Sequence, residues 1–172
     1  MDGRKSPPLL FVVQGAAIAA AYVALTIVFE PISFKESQVR VSEALTILPM
    51  FTAAAVPGLA VGCLLANIIC GAVLPDVIFG SFATFIGAVG TRLLRNRNPV
   101  LAVIPPIAAN MLIVPFVLRY AYGVDLPIPL MMASIGFGEV LSCGALGLLL
   151  YKTLYPHSKV IFKEEEDGDP FS

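Results

Sequence analysis

A few polar side chains inside long apolar stretches are the residues of this sequence most able to do chemistry. Glu139 stands near the middle of the last apolar stretch, in GFGEVLSCG, and Glu43 begins an earlier one, in QVRVSEAL. A carboxylate in hydrocarbon costs about 2.5–3.5 kcal/mol even on permissive scales, so we expect Glu139 to face a cavity or a partner. Asn67 and Asn110 can each donate two hydrogen bonds and accept two, which suits the edge of a heteroaromatic ring.

Each of these residues also has a purely structural alternative. Ser42 could cap a helix, and Glu43 in the first turn would be favoured by the positive end of the helix dipole. A protonated Glu139 could form a hydrogen bond between helices, and the asparagines could do the same. These alternatives leave Gln38 and Arg40, in the same short stretch as Glu43, unexplained.

No catalytic or metal-binding motif accompanies these residues. The sequence has no GxxxxGK[ST] loop and no HExxH, and its one histidine, His157, lies near the C-terminal end. The cysteines lack metal-ligand spacing and lie in apolar stretches, where free thiols act as small hydrophobes; they are Cys63, Cys70 and Cys143. We therefore expect no enzyme activity, no cofactor and no metal site, and any transport must take its energy from a partner or a gradient.

Composition places the chain in a lipid bilayer. Of its 172 residues 58% are hydrophobic and 13% charged, and the mean hydropathy is +0.87, whereas soluble domains are about 45–50% apolar. The first apolar run, Leu10–Phe29, has the roughly 20 residues that a membrane span needs and exceeds the core of a signal peptide. We predict an all-α, multi-pass integral membrane protein.

Breakers divide the chain into six apolar blocks, each predicted to be a transmembrane helix. Six crossings put Arg92, Arg95 and Arg97 on the same side as Arg4 and Lys5, as the positive-inside bias requires, whereas five would separate them. Both termini are then cytoplasmic: residues 1–9 form a short segment, and residues 152–172 an acidic tail predicted to be disordered. The predicted helices are Leu10–Phe29, Ser42–Val56, Gly58–Leu74, Val77–Thr91, Val100–Leu118 and Ile128–Tyr151.

Alanines on the first predicted helix form a smooth face. Small residues four positions apart let another helix approach closely, and van der Waals packing drives helix association in lipid. The face could pack against this chain's own helices or against a partner, and its length favours a partner. Its residues are Ala16, Ala20 and Ala24, with Ala17 and Ala21 beside them.

Aromatic and acidic residues at the outer side complete the set of candidates. Tyr120 and Tyr122 are typical of the aromatic belt at a membrane surface. Phe79 could stack on a bound ring, and Asp76, in the loop after the third block, is a third candidate carboxylate.

The stretch Gln38–Gly71, QVRVSEALTILPMFTAAAVPGLAVGCLLANIICG, and the stretch Asp76–Arg95, DVIFGSFATFIGAVGTRLLR, resemble one known family. They are similar to S components of energy-coupling factor (ECF) transporters, and among these to the queuosine-precursor family, QueT. The resemblance extends to Tyr151. It implies six helices, cytoplasmic termini, and an alanine face on the first helix that packs on a T component; Ala16, Ala20 and Ala24 match that pattern.

The resemblance implies a subunit of a prokaryotic cell membrane that captures a deazaguanine, preQ1 or queuine, outside the cell. It would deliver the base inward with a T component and two ABC-type ATPases, without nucleic acid. The loop Glu30–Val41 would cap the site. A carboxylate accepts side by side from the N–H and amine of such a base, so Glu139 and Glu43 lead the candidates, followed by Asp76, Asn67, Asn110, Gln38, Arg40 and Phe79.

Three other functions stay open at this stage. An S component for another vitamin or nucleobase shares the bundle and differs in the pocket. A stand-alone secondary transporter would be expected to show inverted repeats and coupling-ion carboxylates. A structural membrane subunit would use Glu139 only as a contact between helices.

Overall fold

The computed structural model describes residues 8–29 and 40–162, and the regular structure in these ranges is helical. Gln38 lies outside the described residues, as does most of the loop Glu30–Val41. The α-helices are α1 (Pro8–Val28), α2 (Ala55–Ile69), α3 (Leu74–Leu93), α4 (Pro99–Ala102), α5 (Ile104–Tyr120), α6 (Ile128–Glu139), α7 (Gly147–Leu154) and α8 (Ser158–Ile161). A 3₁₀ helix spans Val41–Met50, a π-helix spans Val140–Leu146, and a single 3₁₀ turn spans Tyr155–His157.

Four stretches of the described chain are long and apolar enough to cross a membrane. They are Leu9–Val28, Leu74–Leu93, Pro99–Tyr120 and Ile128–His157. Two shorter apolar helices, Val41–Met50 and Ala55–Ile69, lie between the first and second of these. The prediction of an all-helical membrane protein is thus confirmed, while the count of six crossings stays a prediction.

The 3₁₀ helix Val41–Met50 lies at the centre of the bundle. It contacts α1, α2, α3, α7 and the π-helix, and its residues from Ser42 to Pro49 are all buried. A 3₁₀ helix rises about 2.0 Å per residue, so ten residues cover roughly 20 Å where an α-helix would cover about 15 Å. The stretched geometry lets a short segment reach far across the bundle.

The sequence predicted a break between the second and third apolar blocks at Pro57-Gly58, and in the structure this break comes earlier in the chain. The 3₁₀ helix ends at Met50, residues 51–54 turn, and α2 begins at Ala55, so Pro57 is in the first turn of α2. A proline there costs nothing, because the first backbone N–H groups of a helix have no intrahelical acceptor. The last helical stretch also runs beyond the predicted end at Tyr151, to Ile161, and residues 163–172 of the tail lie outside the described residues.

Glycines let α1 and α2 approach at backbone distance. A Cβ added at Gly58 would lie 2.6 Å from the carbonyl oxygen of Gly15, and one at Gly62 would lie 2.9 Å from Cβ of Tyr22. A glycine also lets α3 pack closely against α5, because a Cβ at Gly87 would lie 2.6 Å from Cα of Pro106. Such contacts replace the hydrophobic drive that lipid does not provide.

Successive long segments run in alternating directions, which collects their ends at two opposite ends of the bundle. At one end Gln14 accepts from Thr52 at 2.9 Å, and Arg92 donates to the carbonyl oxygen of Pro49 at 3.2 Å. The start of α1 and Phe162 line one apolar groove of ≈ 460 Å³ there. At the other end Arg40 donates to Asn67, and Tyr122 donates to Asp76.

Candidate ligand site

Two carboxyl groups predicted from the sequence meet inside the bundle. Glu43 is fully buried on the 3₁₀ helix, and Glu139, 3% exposed, is the last residue of α6. An oxygen of each carboxyl group and Sγ of Cys143 lie within 4.8 Å of one another. We call Glu43, Glu139, Cys143 and Asn110 the carboxylate cluster.

The two halves of this cluster are positioned by helices of unusual geometry. The 3₁₀ helix that carries Glu43 packs directly against the π-helix that follows Glu139. Cys143 lies within that π-helix, where its Sγ donates to Glu139 Oε2 at 3.1 Å and accepts from the Thr46 hydroxyl at 3.3 Å. Long 3₁₀ stretches and π-helical turns are uncommon and are often found at functional sites.

Three further helices reach the cluster with hydrogen-bond donors. Asn110 Nδ2, on α5, donates to Glu139 Oε1 at 3.1 Å. Tyr22, on α1, and Thr84, on α3, both donate to Glu43 Oε1, the threonine at 3.3 Å. The carboxyl group of Glu43 is thus tied to two helices through a single oxygen.

Three buried polar atoms beside these bonds have no hydrogen-bond partner within the described part of the chain. They are Glu43 Oε2, Asn110 Oδ1 and Ser142 Oγ, and their side chains are at most 2% exposed. Leaving a buried polar group unpaired costs about 1–3 kcal/mol, and more for a charged group. Two of the three atoms are pure acceptors, so a molecule that completes this site must bring hydrogen-bond donors.

The cluster also has the composition of a metal site, although the sequence predicted none. Two carboxylates and a thiolate could together hold a divalent transition metal. A ligating cysteine must first lose its proton, whereas here the Cys143 thiol donates to Glu139. The arrangement as it stands therefore suits a hydrogen-bonding ligand better than an ion.

Three other predicted polar residues, Arg40, Asn67 and Asp76, form a second group with Tyr122 at one end of the bundle. We call these four residues the terminal cluster. The Arg40 guanidinium donates to Asn67 Oδ1 at 3.1 Å, and Asn67 Nδ2 donates to the carbonyl oxygen of Asp76 at 3.4 Å. Tyr122 donates to Asp76 Oδ2 at 2.9 Å. Burial and the neighbouring Asp76 carboxylate raise the pKa of Tyr122 to about 12. These residues pair with each other, which fits a closure of that end of the bundle.

Two further residues were predicted to contact a ligand, Phe79 and Gln38. The ring of Phe79 is 51% exposed, so it faces outward for about half of its surface. Gln38 is not among the described residues.

Sequence reasoning missed four residues of the site, which are Tyr22, Thr84, Ser142 and Cys143; it treated Cys143 as a small hydrophobe, whereas the thiol donates to Glu139. Tyr22 carried a usable signal, because a buried phenol hydroxyl usually finds a hydrogen-bond partner. Thr84 carried none, since a threonine inside a helix commonly bonds back to its own backbone. The single hydroxyl proton of Thr84 is shared between the carbonyl oxygen of Gly80 at 3.2 Å and Glu43 Oε1 at 3.3 Å.

Comparison with known proteins identifies the family. The family model described as QueT transporter matches residues 12–156. The chain belongs to the QueT transporter family. Neither a curated protein nor a solved structure gave a significant match.

Membership of the QueT family makes this chain a multi-pass membrane transport protein and not an enzyme. The matched range includes every described residue of the carboxylate and terminal clusters, as well as the alanine face of α1. Both clusters therefore lie in the part of the chain that defines the family.

Proposed function

We propose that the chain is the substrate-binding S component of an ECF importer, and that it captures a queuosine precursor, preQ1 or queuine, outside a prokaryotic cell. A T component and two ATPases would supply the energy for inward delivery. The observation that carries the substrate part of this proposal is the carboxylate cluster with its unpaired acceptors, Glu43 Oε2 and Asn110 Oδ1.

The chemistry of a deazaguanine complements those acceptors. Its ring N–H and exocyclic amine lie side by side and can donate together to one carboxylate, in a charge-assisted pair of hydrogen bonds. The amine on the side chain of preQ1 or queuine is cationic near neutral pH and would be favoured by the second carboxylate. Glu139 is assigned to the base edge and Glu43, with its free Oε2, to the ammonium group.

The alanine face of α1 supports the partner part of the proposal. Every alanine of that face is exposed in the described structure, whereas α1 packs on its own bundle through Ile18, Ala19, Tyr22 and Thr26. Ala17 and Ala21 line the apolar groove formed with this chain's own helices. Packing within this chain does not account for Ala16, Ala20 and Ala24, and a helix of a T component would cover them. Its residues are Ala16, Ala17, Ala20, Ala21 and Ala24.

Six membrane crossings with cytoplasmic termini are part of the same proposal. Two hydrogen bonds support it. Arg92, at the end of α3, donates to Pro49, and Thr52 donates to Gln14, near the start of α1. The basic residues that follow α3 are therefore at the same end of the bundle as the start of α1. The carboxylate cluster would then open toward the outside, where the loop Glu30–Val41 would close it together with the terminal cluster.

The proposal is tested by expressing the chain with and without the T component and ATPases of its own organism. Radiolabelled preQ1 should accumulate in cells only when all four subunits are present, and the ATPases should co-purify with the chain. Accumulation by this chain alone would instead identify a secondary transporter. A stable complex that binds neither preQ1 nor queuine would leave a different vitamin or nucleobase, or a structural subunit.

A further inference from the structure

One residue connects the face of α1 that is open to a partner with the carboxylate cluster. The side chain of Tyr22 is fully buried, and its hydroxyl donates to Glu43 Oε1. One turn along α1, the buried Thr26 hydroxyl donates at 2.9 Å to Ser42, the neighbour of Glu43. Two consecutive turns of α1 are therefore hydrogen-bonded to the start of the 3₁₀ helix.

The same turns of α1 carry the exposed alanines on their opposite side. Each residue of an α-helix is rotated by about 100° from the last, so Ala20 and Ala24 lie roughly 160° around the helix from Tyr22. Both alanines are exposed. A partner that contacts them would sit directly across the helix from the Tyr22 hydroxyl.

The contact between α1 and α2 leaves little freedom to absorb a displacement at this level. A Cβ at Gly62 would lie 2.9 Å from Cβ of Tyr22 and 3.0 Å from Cα of Ala19. Close-packed interfaces of this kind transmit strain because they have no free volume to fill. A shift or tilt of α1 is therefore passed on to Tyr22 and its hydrogen bond.

We propose that Tyr22 is the residue that couples partner docking on α1 to the affinity of the ligand site; this inference rests on the proposed function. Tyr22 and Thr84 together hold Glu43 Oε1, which directs the unpaired Oε2 toward the ligand. When docking displaces α1, the bond from Tyr22 lengthens, the carboxyl group turns, and the ligand loses its aligned acceptor. Docking thus lowers the affinity for the ligand.

The test measures a coupling factor, which is the ratio of the dissociation constants for preQ1 in the full complex and in the isolated chain. Typical coupling between two sites is about 5–150-fold. We expect a ratio in that range for the native chain, and a ratio close to one for Tyr22→Phe, which removes only the hydroxyl. Tyr120→Phe is the matched control, because the side chain of Tyr120 is 78% exposed, and it should keep the native ratio.

Reciprocity gives a second readout of the same quantity. preQ1 must weaken binding of the T component with its ATPases to the chain by the same factor by which that assembly weakens binding of preQ1. In Tyr22→Phe this effect should disappear while preQ1 still binds the isolated chain. If Tyr22→Phe does not fold, Thr26→Val removes the neighbouring bond and should reduce the ratio.

The outcomes separate the coupling inference from the proposed function. If Tyr22→Phe keeps the coupling ratio of the native chain, the coupling inference is wrong. The same holds for Thr26→Val, where Tyr22→Phe does not fold. In either case, binding of preQ1 would still support the proposed function. The inference would also be wrong if the native chain bound preQ1 with the same affinity in the full complex and in isolation. Failure of the isolated native chain to bind preQ1 or queuine would instead contradict the proposed function itself.

Discussion

The carboxyl groups of Glu43 and Glu139 lie close together in the middle of the bundle, with oxygens within 4.8 Å of each other. Two like charges at that distance in a poorly solvated site repel strongly. A cationic ligand that donates hydrogen bonds relieves the repulsion and satisfies the free acceptors. The relationship between these two residues is therefore the basis for the expected ligand chemistry.

Removing the hydroxyl of Ser142 should separate stability from ligand affinity. Ser142 Oγ is buried and unpaired in the described structure, so Ser142→Ala should raise the stability of the ligand-free protein by up to about 1–3 kcal/mol. If Ser142 contacts the ligand, preQ1 affinity should fall in the same variant. Thermal unfolding in detergent and calorimetry measure the two effects.

Ser81→Ala is the control for this prediction. The Ser81 hydroxyl is buried and already donates to the carbonyl oxygen of Val77 at 2.6 Å, so its loss should give no gain in stability. Unchanged preQ1 affinity in Ser142→Ala would remove Ser142 from the ligand contacts.

The close contact between α1 and α2 should not tolerate a methyl group. In Gly58→Ala the new Cβ would lie 2.6 Å from a backbone carbonyl oxygen, that of Gly15. Overpacking of this kind costs about 1–3 kcal/mol, which lowers the midpoint of thermal unfolding. In Gly144→Ala the nearest atom, Cγ1 of Val140, would be 3.8 Å away, so the midpoint should be unchanged or higher. Equal midpoints for the two variants would contradict the packing described for α1.

The hydrogen bond between Tyr122 and Asp76 should be visible in a titration. Burial and the Asp76 carboxylate raise the pKa of Tyr122 to about 12, above the ordinary value of about 10 for tyrosine. A raised pKa means that the neutral phenol is stabilised by folding, a contribution fully present below about pH 10 and lost as the pH rises through about 12. The measurement is ultraviolet absorbance as a function of pH, and subtracting the titration of Tyr122→Phe from that of the native chain leaves the signal of the Tyr122 phenol.

Asp76→Asn should bring the pKa of Tyr122 back toward its ordinary value, because the negative neighbour is gone. Tyr120→Phe serves as the control that removes an exposed phenol. If Tyr122 ionises near pH 10 in the native chain, the terminal cluster is not closed in solution as described.

A bulky residue on the alanine face should block assembly without harming the ligand site. Ala20 is exposed and lies across α1 from Tyr22, so Ala20→Trp should greatly reduce the T component that co-purifies with the chain. Ile78→Trp, at a position 53% exposed on α3, adds the same ring elsewhere on the apolar surface. Normal assembly of Ala20→Trp would show that the partner binds another face.

The sequence predicted the class of fold and the main ligand candidates from one physical principle, the cost of polar groups in hydrocarbon. That cost singled out Glu139, and the stretch QVRVSEAL drew attention to Glu43. The alanine periodicity also identified a face of α1 that the described structure leaves exposed.

The meeting of Glu43 with Glu139 could not be predicted, because it depends on helices that are not α-helical. The 3₁₀ helix Val41–Met50 and the π-helix Val140–Leu146 have no clear sequence signature and are set by tertiary packing. For the same reason the hydrogen bond between Arg40 and Asn67 could not be predicted, and their contact with a ligand stays a prediction. These two residues bond to each other at the end of the bundle, apart from the hydrogen bonds of the carboxylate cluster.

The most direct test of the account is calorimetry of the purified native chain with preQ1, repeated with Glu139→Gln, Glu43→Gln and the control Asp125→Asn. Asp125 has a side chain 94% exposed, so its variant removes a charge far from the cluster. A hydrogen bond to a charged group contributes about 1.5–3 kcal/mol, so each glutamate variant should lower affinity by more than about tenfold, and Asp125→Asn should not. Native affinity in both glutamate variants, or no binding of preQ1 or queuine by the native chain, would contradict the account.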